Sequence, residues 1–163
     1  MAEADFCGFS PHLLAYSITL LLRRYCINLK VSQEIMPNRA SDWFNQAVRD
    51  LEQAEDSRIA GRHEWACFAA HQSAEKAIKA LHLHMGQEAW GHVVARLLED
   101  LPRPVPEDLI DVARVLDNFY IPTRYPNGHP QGAPFEHYGK LQSEEAIKYA
   151  RSILEFVRSQ MAQ

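Results

Sequence analysis

The sequence predicts an all-α protein, an up-down bundle of four to five helices with one long Pro-rich loop before the last helix. Three observations carry this. Apolar residues recur at i, i+3 and i+4 through several separated stretches, the period of a helix with one buried face. No strand-like alternation or internal repeat interrupts them. Proline and glycine cluster between these stretches and not within them, as helix breakers should.

The first helix starts near Ser41, with Trp43, Ala47, Leu51 and Ala54 at helical spacing and Ser41 or Asp42 placed to cap it. Gly61 marks its end. A second helix is predicted from about Arg62 to Met85, with Gly86 as its stop. Its broad face of Ala66, Ala69, Ala70, Ala77, Ile78 and Leu81 is rich in alanine. Small side chains allow close helix approach, so this helix is expected at the centre. A third, shorter helix covers about His92–Leu101. Three prolines (Pro102, Pro104, Pro106) separate it from a fourth, about Glu107–Ile121, which carries Leu109, Val112, Val115, Leu116 and Phe119. The fifth, about Ser143–Gln160, carries Ala146, Ala150, Ile153, Leu154 and Val157.

Between the last two helices lies Tyr120–His137, with prolines at 122, 126, 130 and 134. Long irregular loops in compact domains tend to be functional or disordered. This one holds Arg124, His129, His137, Tyr120, Tyr125 and Phe135, a composition that favours function. Gly128 and Gly132 read as backbone hinges within it.

Composition sets the outer bounds. The chain has 163 residues, 47% apolar and 23% charged, which suits a globular domain. A formal net charge of −4 argues against a bulk electrostatic nucleic-acid binder but leaves room for a local basic site. The 3 cysteines form no Cys-x-x-Cys pair, so neither a zinc site nor a disulfide framework is indicated, and a cytoplasmic location is expected. Cys67, in an apolar stretch, reads as a small buried residue.

Residues 1–35 form an N-terminal extension, distinct in composition from the bundle domain at 36–163. Leu13–Leu22 is too short to span a bilayer, and its flanking charges are reversed for a signal peptide. Met36 precedes the helix-start pattern PNRASDWF. The extension is therefore read either as lying before a natural start at Met36 or as poorly packed, against the simpler reading of one more helix.

Two constellations bear on chemistry. Arg124 and His129, with four residues between them, match the requirements of metal-independent RNA cleavage. The histidine would act as general acid or base, and the arginine would stabilise charge on the phosphate. About a dozen arginines and 8 histidines yield roughly two such pairs by chance, and Arg58 with His63 is a second one. The other reading pairs Arg124 with a carboxylate and leaves His129 an ordinary loop residue. On the second helix, Gln72, Glu75, Lys76 and Lys79 form a polar stripe, with Glu75 and Lys79 spaced for an ion pair. The stripe is either a solvated face or one turned to a cleft or partner. His82 and His84 diverge on a helix and cannot share a metal ion. His92 is expected to pack or to make a hydrogen bond. Tyr120, Tyr125 and Phe135 either stack a base or pin the loop to the bundle.

Three segments together resemble the HEPN domain family (higher eukaryotes and prokaryotes nucleotide-binding). They are WFNQAVRDLEQAE from Trp43, HEWACFAAHQSAEKAIKALHLHMG from His63, and LDNFYIPTRYPNG from Leu116. The final amphipathic helix fits too, so the resemblance spans about residues 40–160. It implies a helical bundle, often a homodimer, and for many members a minimal nucleotidyltransferase partner. Some members are toxin-type endoribonucleases using an Arg-x4-6-His motif, which would fall here on Arg124 and His129. Others bind nucleotides. The Thr-Arg-Tyr-Pro string at 123–126 departs from the active form, which commonly has a polar residue after the arginine, and looks like the nucleotide-binding branch. The resemblance therefore implies a binding module with Arg124 on phosphate, Tyr125 on the base, and Lys76 and Lys79 adding positive charge. The runner-up is a ribonuclease using Arg124 and His129. Neither reading requires a cofactor, a metal or a membrane.

Overall fold

The computed structural model describes residues 38–162. The extension read at 1–35 and the start proposed at Met36 lie outside the described residues. Five α-helices follow one another: α1 (Ala40–Ile59), α2 (His63–His84), α3 (Val94–Glu99), α4 (Glu107–Asp117) and α5 (Lys140–Met161). No strand occurs among the described residues. The all-α bundle read from periodicity is the fold.

The cap of α1 differs from expectation. Ser41 and Asp42 lie inside the helix. Asn38 does the capping, its side-chain oxygen accepting the Ala40 N–H at 2.9 Å. Asp42 instead sits in the first turn, where a negative charge favours the helix dipole, and pairs with Arg39 at 2.9 Å. α2 ends as its sequence implies. Gly86 takes φ +75°, its N–H bonds the Leu83 carbonyl, and the Gln87 N–H reaches back to the His82 carbonyl. These are the paired bonds of a Schellman stop, which needs a left-handed residue that glycine supplies without strain.

α2 is the axis of the fold. It packs against α1 and α5 along its length and also meets α3 and α4. Ala66, Ala70, Ala74 and Ala77 have no exposed surface, and neither do Ala47 and Ala54 facing them from α1. The three-residue turn at 60–62 makes α1 and α2 antiparallel, and the Ser73 hydroxyl donates to the Ala47 carbonyl at 2.7 Å across the seam. The larger core side chains, among them Ile78, Leu81, Leu98, Leu116, Ile153 and Val157, fill the space toward α3, α4 and α5.

α4 is shorter than predicted, ending at Asp117 and not Ile121. From there the backbone tightens to i→i+3 bonds, Asn118 to Val115 and Phe119 to Leu116, while the Asn118 amide donates to the Arg114 and Val115 carbonyls. An asparagine that bonds the local backbone competes with helix continuation. The segment up to α5 contains two short 3-10 turns, Pro126–Gly128 and Pro134–Glu136. It is anchored by Thr123, buried, whose hydroxyl donates to the Phe119 carbonyl at 2.6 Å. Gly128 is needed for closeness and not as a hinge, since a Cβ there would stand 2.8 Å from Pro122 Cα. Gly132, at φ +81°, keeps the hinge character read from the sequence.

Candidate nucleotide-binding edge

Glu75, in the middle of α2, is almost fully buried. It accepts from Lys79 Nζ at 2.9 Å, from Gln72 Nε2 at 3.1 Å and from His92 Nδ1 at 3.2 Å. Burial alone would push its carboxyl up. The Lys79 bond and charge, with His92, outweigh that, and the carboxyl lies below its usual value. The polar stripe of α2 is thus a bonded network and not a solvated face. Lys76 is likewise engaged, its ammonium on the Asp50 carboxylate of α1. Lys79 also lies 5.9 Å from the centroid of the Trp43 ring.

His92, just before α3, joins this network to the loop. Its ring stacks on Tyr120 at 4.8 Å between centroids, and its carbonyl accepts the Nε2–H of buried His71 at 3.0 Å. The His71 ring is itself tilted against Tyr120, 5.0 Å between centroids. Packing and a hydrogen bond are both what His92 does here. Tyr120 also stacks with Phe68 of α2 at 6.5 Å. Among the loop aromatics, then, Tyr120 is the pin, while Tyr125 and Phe135 stay exposed.

Arg124 follows from Tyr120 by one helical-like turn, and its Nε–H donates to the Tyr120 carbonyl at 2.8 Å. Its guanidinium carbon sits 4.4 Å from the Phe68 centroid, 4.6 Å from Tyr120 and 5.1 Å from Tyr125. Planar guanidinium groups stack well on aromatic faces. No carboxylate among the described residues comes within ion-pair distance of it, so its charge is held in place and left free. The expected alternative, a carboxylate partner for Arg124, has no counterpart in the geometry.

His129 is elsewhere occupied. Its Nε2–H donates to the Pro122 carbonyl at 2.8 Å, and its ring stacks on His137 at 4.0 Å and meets Tyr138 edge-on. No hydrogen bond or ring contact links it to Arg124 within the chain. The second Arg–His pair is also structural. Arg58 pairs with Glu55 and Glu144, while Ser143 of α5 accepts from His63 Nδ1 at 2.9 Å. His82 donates Nε2–H to the Leu97 carbonyl at 2.8 Å, tying α2 to α3, and no three potential metal ligands converge among the described residues.

Sequence reading named Gln72 and Lys76 in the polar stripe but missed Trp65 and Phe68 beside them. Trp65, Phe68, Gln72 and Lys76 recur at i, i+3, i+7 and i+11 on one face of α2, a pattern that marks them as neighbours. With Arg62, they line a groove of about 480 Å³ between α1 and α2. Asp117 was also missed. Its carboxylate accepts from Val94 N at 2.6 Å and Ala95 N at 3.2 Å, capping α3 from the end of α4. A cap supplied from 22 or 23 residues away leaves no local sequence signature.

The model of the HEPN domain matches residues 40–160. The chain belongs to the HEPN domain family. Solved HEPN-like neighbours agree. TT1696 from Thermus thermophilus is 53% identical with a TM-score of 0.75, covering 76% of this chain and 98% of its own. ST0689, an archaeal HEPN homologue, is 41% identical with a TM-score of 0.66 over 76% of this chain and 98% of its own. A HEPN domain protein of Thermotoga maritima, tm0613, is 33% identical with a TM-score of 0.62, covering 75% of this chain and 98% of its own. Comparison with curated proteins finds no match. Among the described residues of this HEPN domain, no helix is long and apolar enough to cross a membrane.

Proposed function

We propose that this HEPN domain is a nucleotide-binding module that works as a dimer, paired with a second copy or with a minimal nucleotidyltransferase. The observation that carries the proposal is the Arg124 guanidinium, fixed by three aromatic rings and one backbone carbonyl and unpaired with any described carboxylate. A pre-positioned planar cation of this kind suits bidentate contact with phosphate oxygens. Tyr125, about half exposed and in contact with Arg124, offers a ring face to the base. Lys76 and Lys79 contribute less directly, because each already shares its charge with a carboxylate. Their part is to hold the shape and potential of the neighbouring surface.

Calorimetric titration with ATP tests this. Heat of binding is expected for the wild type and absent for Arg124→Ala; unchanged heat in the variant would remove Arg124 from the site. Co-expression with a candidate nucleotidyltransferase, followed by co-purification, tests the partner.

A second reading rests on the Arg124-x4-His129 spacing alone, that of a metal-independent endoribonuclease. It requires both side chains to reach one phosphate, which with His129 held on Pro122 calls for a residue from a second protomer or a rearranged loop. Cleavage of a generic RNA by wild type and not by Arg124→Ala or His129→Ala would favour it. Equal cleavage by all three, or by none, would eliminate it.

A further inference from the structure

Arg124 joins aromatic rings of the loop and of α2. Tyr125 touches its guanidinium at 5.1 Å. Phe68 lies at 4.4 Å from it, and Phe68 in turn meets Trp65 edge-on at 6.0 Å. Trp65 is 49% exposed and Tyr125 52%. Phe68 is the shared wall, facing Arg124 and also lining the groove between α1 and α2. Trp65 forms part of that groove, with the amides of Gln53 and Gln72 and the guanidinium of Arg62. Arg62, like Arg124, has no carboxylate within ion-pair distance among the described residues. The contacts therefore run from Tyr125 to Arg124 to Phe68 to Trp65, with Arg62 lining the same groove as Trp65.

We propose that this surface takes a ligand with two nucleobases joined through a phosphate linkage, one base against Tyr125 and the other against Trp65. This rests on the nucleotide-binding reading of Arg124 and extends it from one base to two. The phosphate lies on Arg124 between the platforms, and Arg62 adds charge on the Trp65 side. Base–aromatic stacking tolerates any base, since every base has a π-face, and anionic linkers match cations placed between ring platforms. The Gln53 and Gln72 amides supply donors and acceptors for a base edge in the groove. A single mononucleotide occupies one platform and leaves the other empty. Two sources share this chemistry, a free dinucleotide and a step of a single RNA strand.

The test is calorimetric titration of the full chain at low salt with AMP, adenylyl-adenosine, diadenosine diphosphate and a short oligo(A) strand. The two-base ligands are expected to bind at least about tenfold more tightly than AMP, the scale of one added base stack. Trp65→Ala should remove most of that advantage, and Trp65→Phe, which keeps a ring, should restore part of it. Oligo(A) binding tighter than both dinucleotides, with strong salt dependence, assigns the site to RNA. Equal or weaker oligo(A) binding assigns it to a free dinucleotide. Either outcome supports a two-base site. If AMP binds and the two-base ligands gain nothing, or if Trp65→Ala leaves their advantage intact, the two-base site is overturned while the nucleotide reading stands. If no ligand binds, AMP included, both fall together.

Discussion

At residue scale, the contrast between Glu75 and Arg124 organises the edge. Glu75 is a buried charge with every oxygen engaged, whereas Arg124 is held by rings and has no carboxylate partner among the described residues. Burying a carboxylate is costly unless it is paired and hydrogen-bonded, and Lys79 and His92 meet that need. The lowered Glu75 carboxyl has a pH consequence. A carboxyl depressed in the folded state contributes stability that is present above its ordinary value, here 4.5, and that is lost as pH falls through the lower folded value. Thermal unfolding followed from pH 7 downward should therefore show a falling melting temperature below that point. Glu75→Gln, less stable at neutral pH, should show a shallower fall; an acid limb unchanged in steepness would mean that Glu75 is not its source. Cys67 behaves oppositely. Burial, with Glu64 nearby, raises its thiol to about 12, so alkylation of Cys67 at pH 8 is expected only after unfolding, as peptide mapping would reveal.

At the scale of elements, the α1–α2 seam and the α3 cap are the informative cases. Six alanines with no exposed surface line the seam from both helices, and nothing larger fits without moving a helix. Ala70→Leu is expected to cost about 1–3 kcal/mol by overpacking, read as a shift in the urea midpoint. Asp117→Ala removes the acceptor for two N–H groups at the start of α3 and is expected to cost about 1 kcal/mol, within the usual range for a lost cap. The helices themselves were legible in the sequence. Their periodicity located all five, and Gly86 stopped α2 where a left-handed residue was needed. The misjudged ends share one cause. Asn38 caps α1 and Asn118 ends α4 through side-chain bonds to nearby backbone, and apolar spacing carries no information about such bonds.

At the scale of the whole molecule, one central helix with four others around it among the described residues seats the candidate edge on the core. Phe68, His71, Gln72, Glu75, Lys76 and Lys79 all project from α2, the element with the most buried surroundings, so a platform built on them is set by the core. The loop after α4 then packs on that platform through Tyr120 and Arg124. The proposed dimer is also tested at this scale. Light scattering should give twice the 18.7 kDa chain mass, and a monomer mass across the working concentration range would count against it.

What the sequence by itself determined was the class of fold, the order of helices among the described residues, the family, and the extent of the irregular loop before the last helix. These follow from local period and local composition, which every residue in a helix reports alike. Tertiary structure alone decided what each side chain in that loop can do. Arg124 and His129 are a matched pair when counted along the chain, but three rings from two segments claim one and a backbone carbonyl with a neighbouring histidine claims the other. Lys76, read as a source of positive charge, is paired with Asp50 on α1, and Lys79 is paired with Glu75, as their spacing predicts. Phe68 and Trp65, which periodicity did not single out, line the groove between α1 and α2. The physical reason is the same in each case. Charge and stacking act over a few ångströms in space, and only packing sets which residues stand that close.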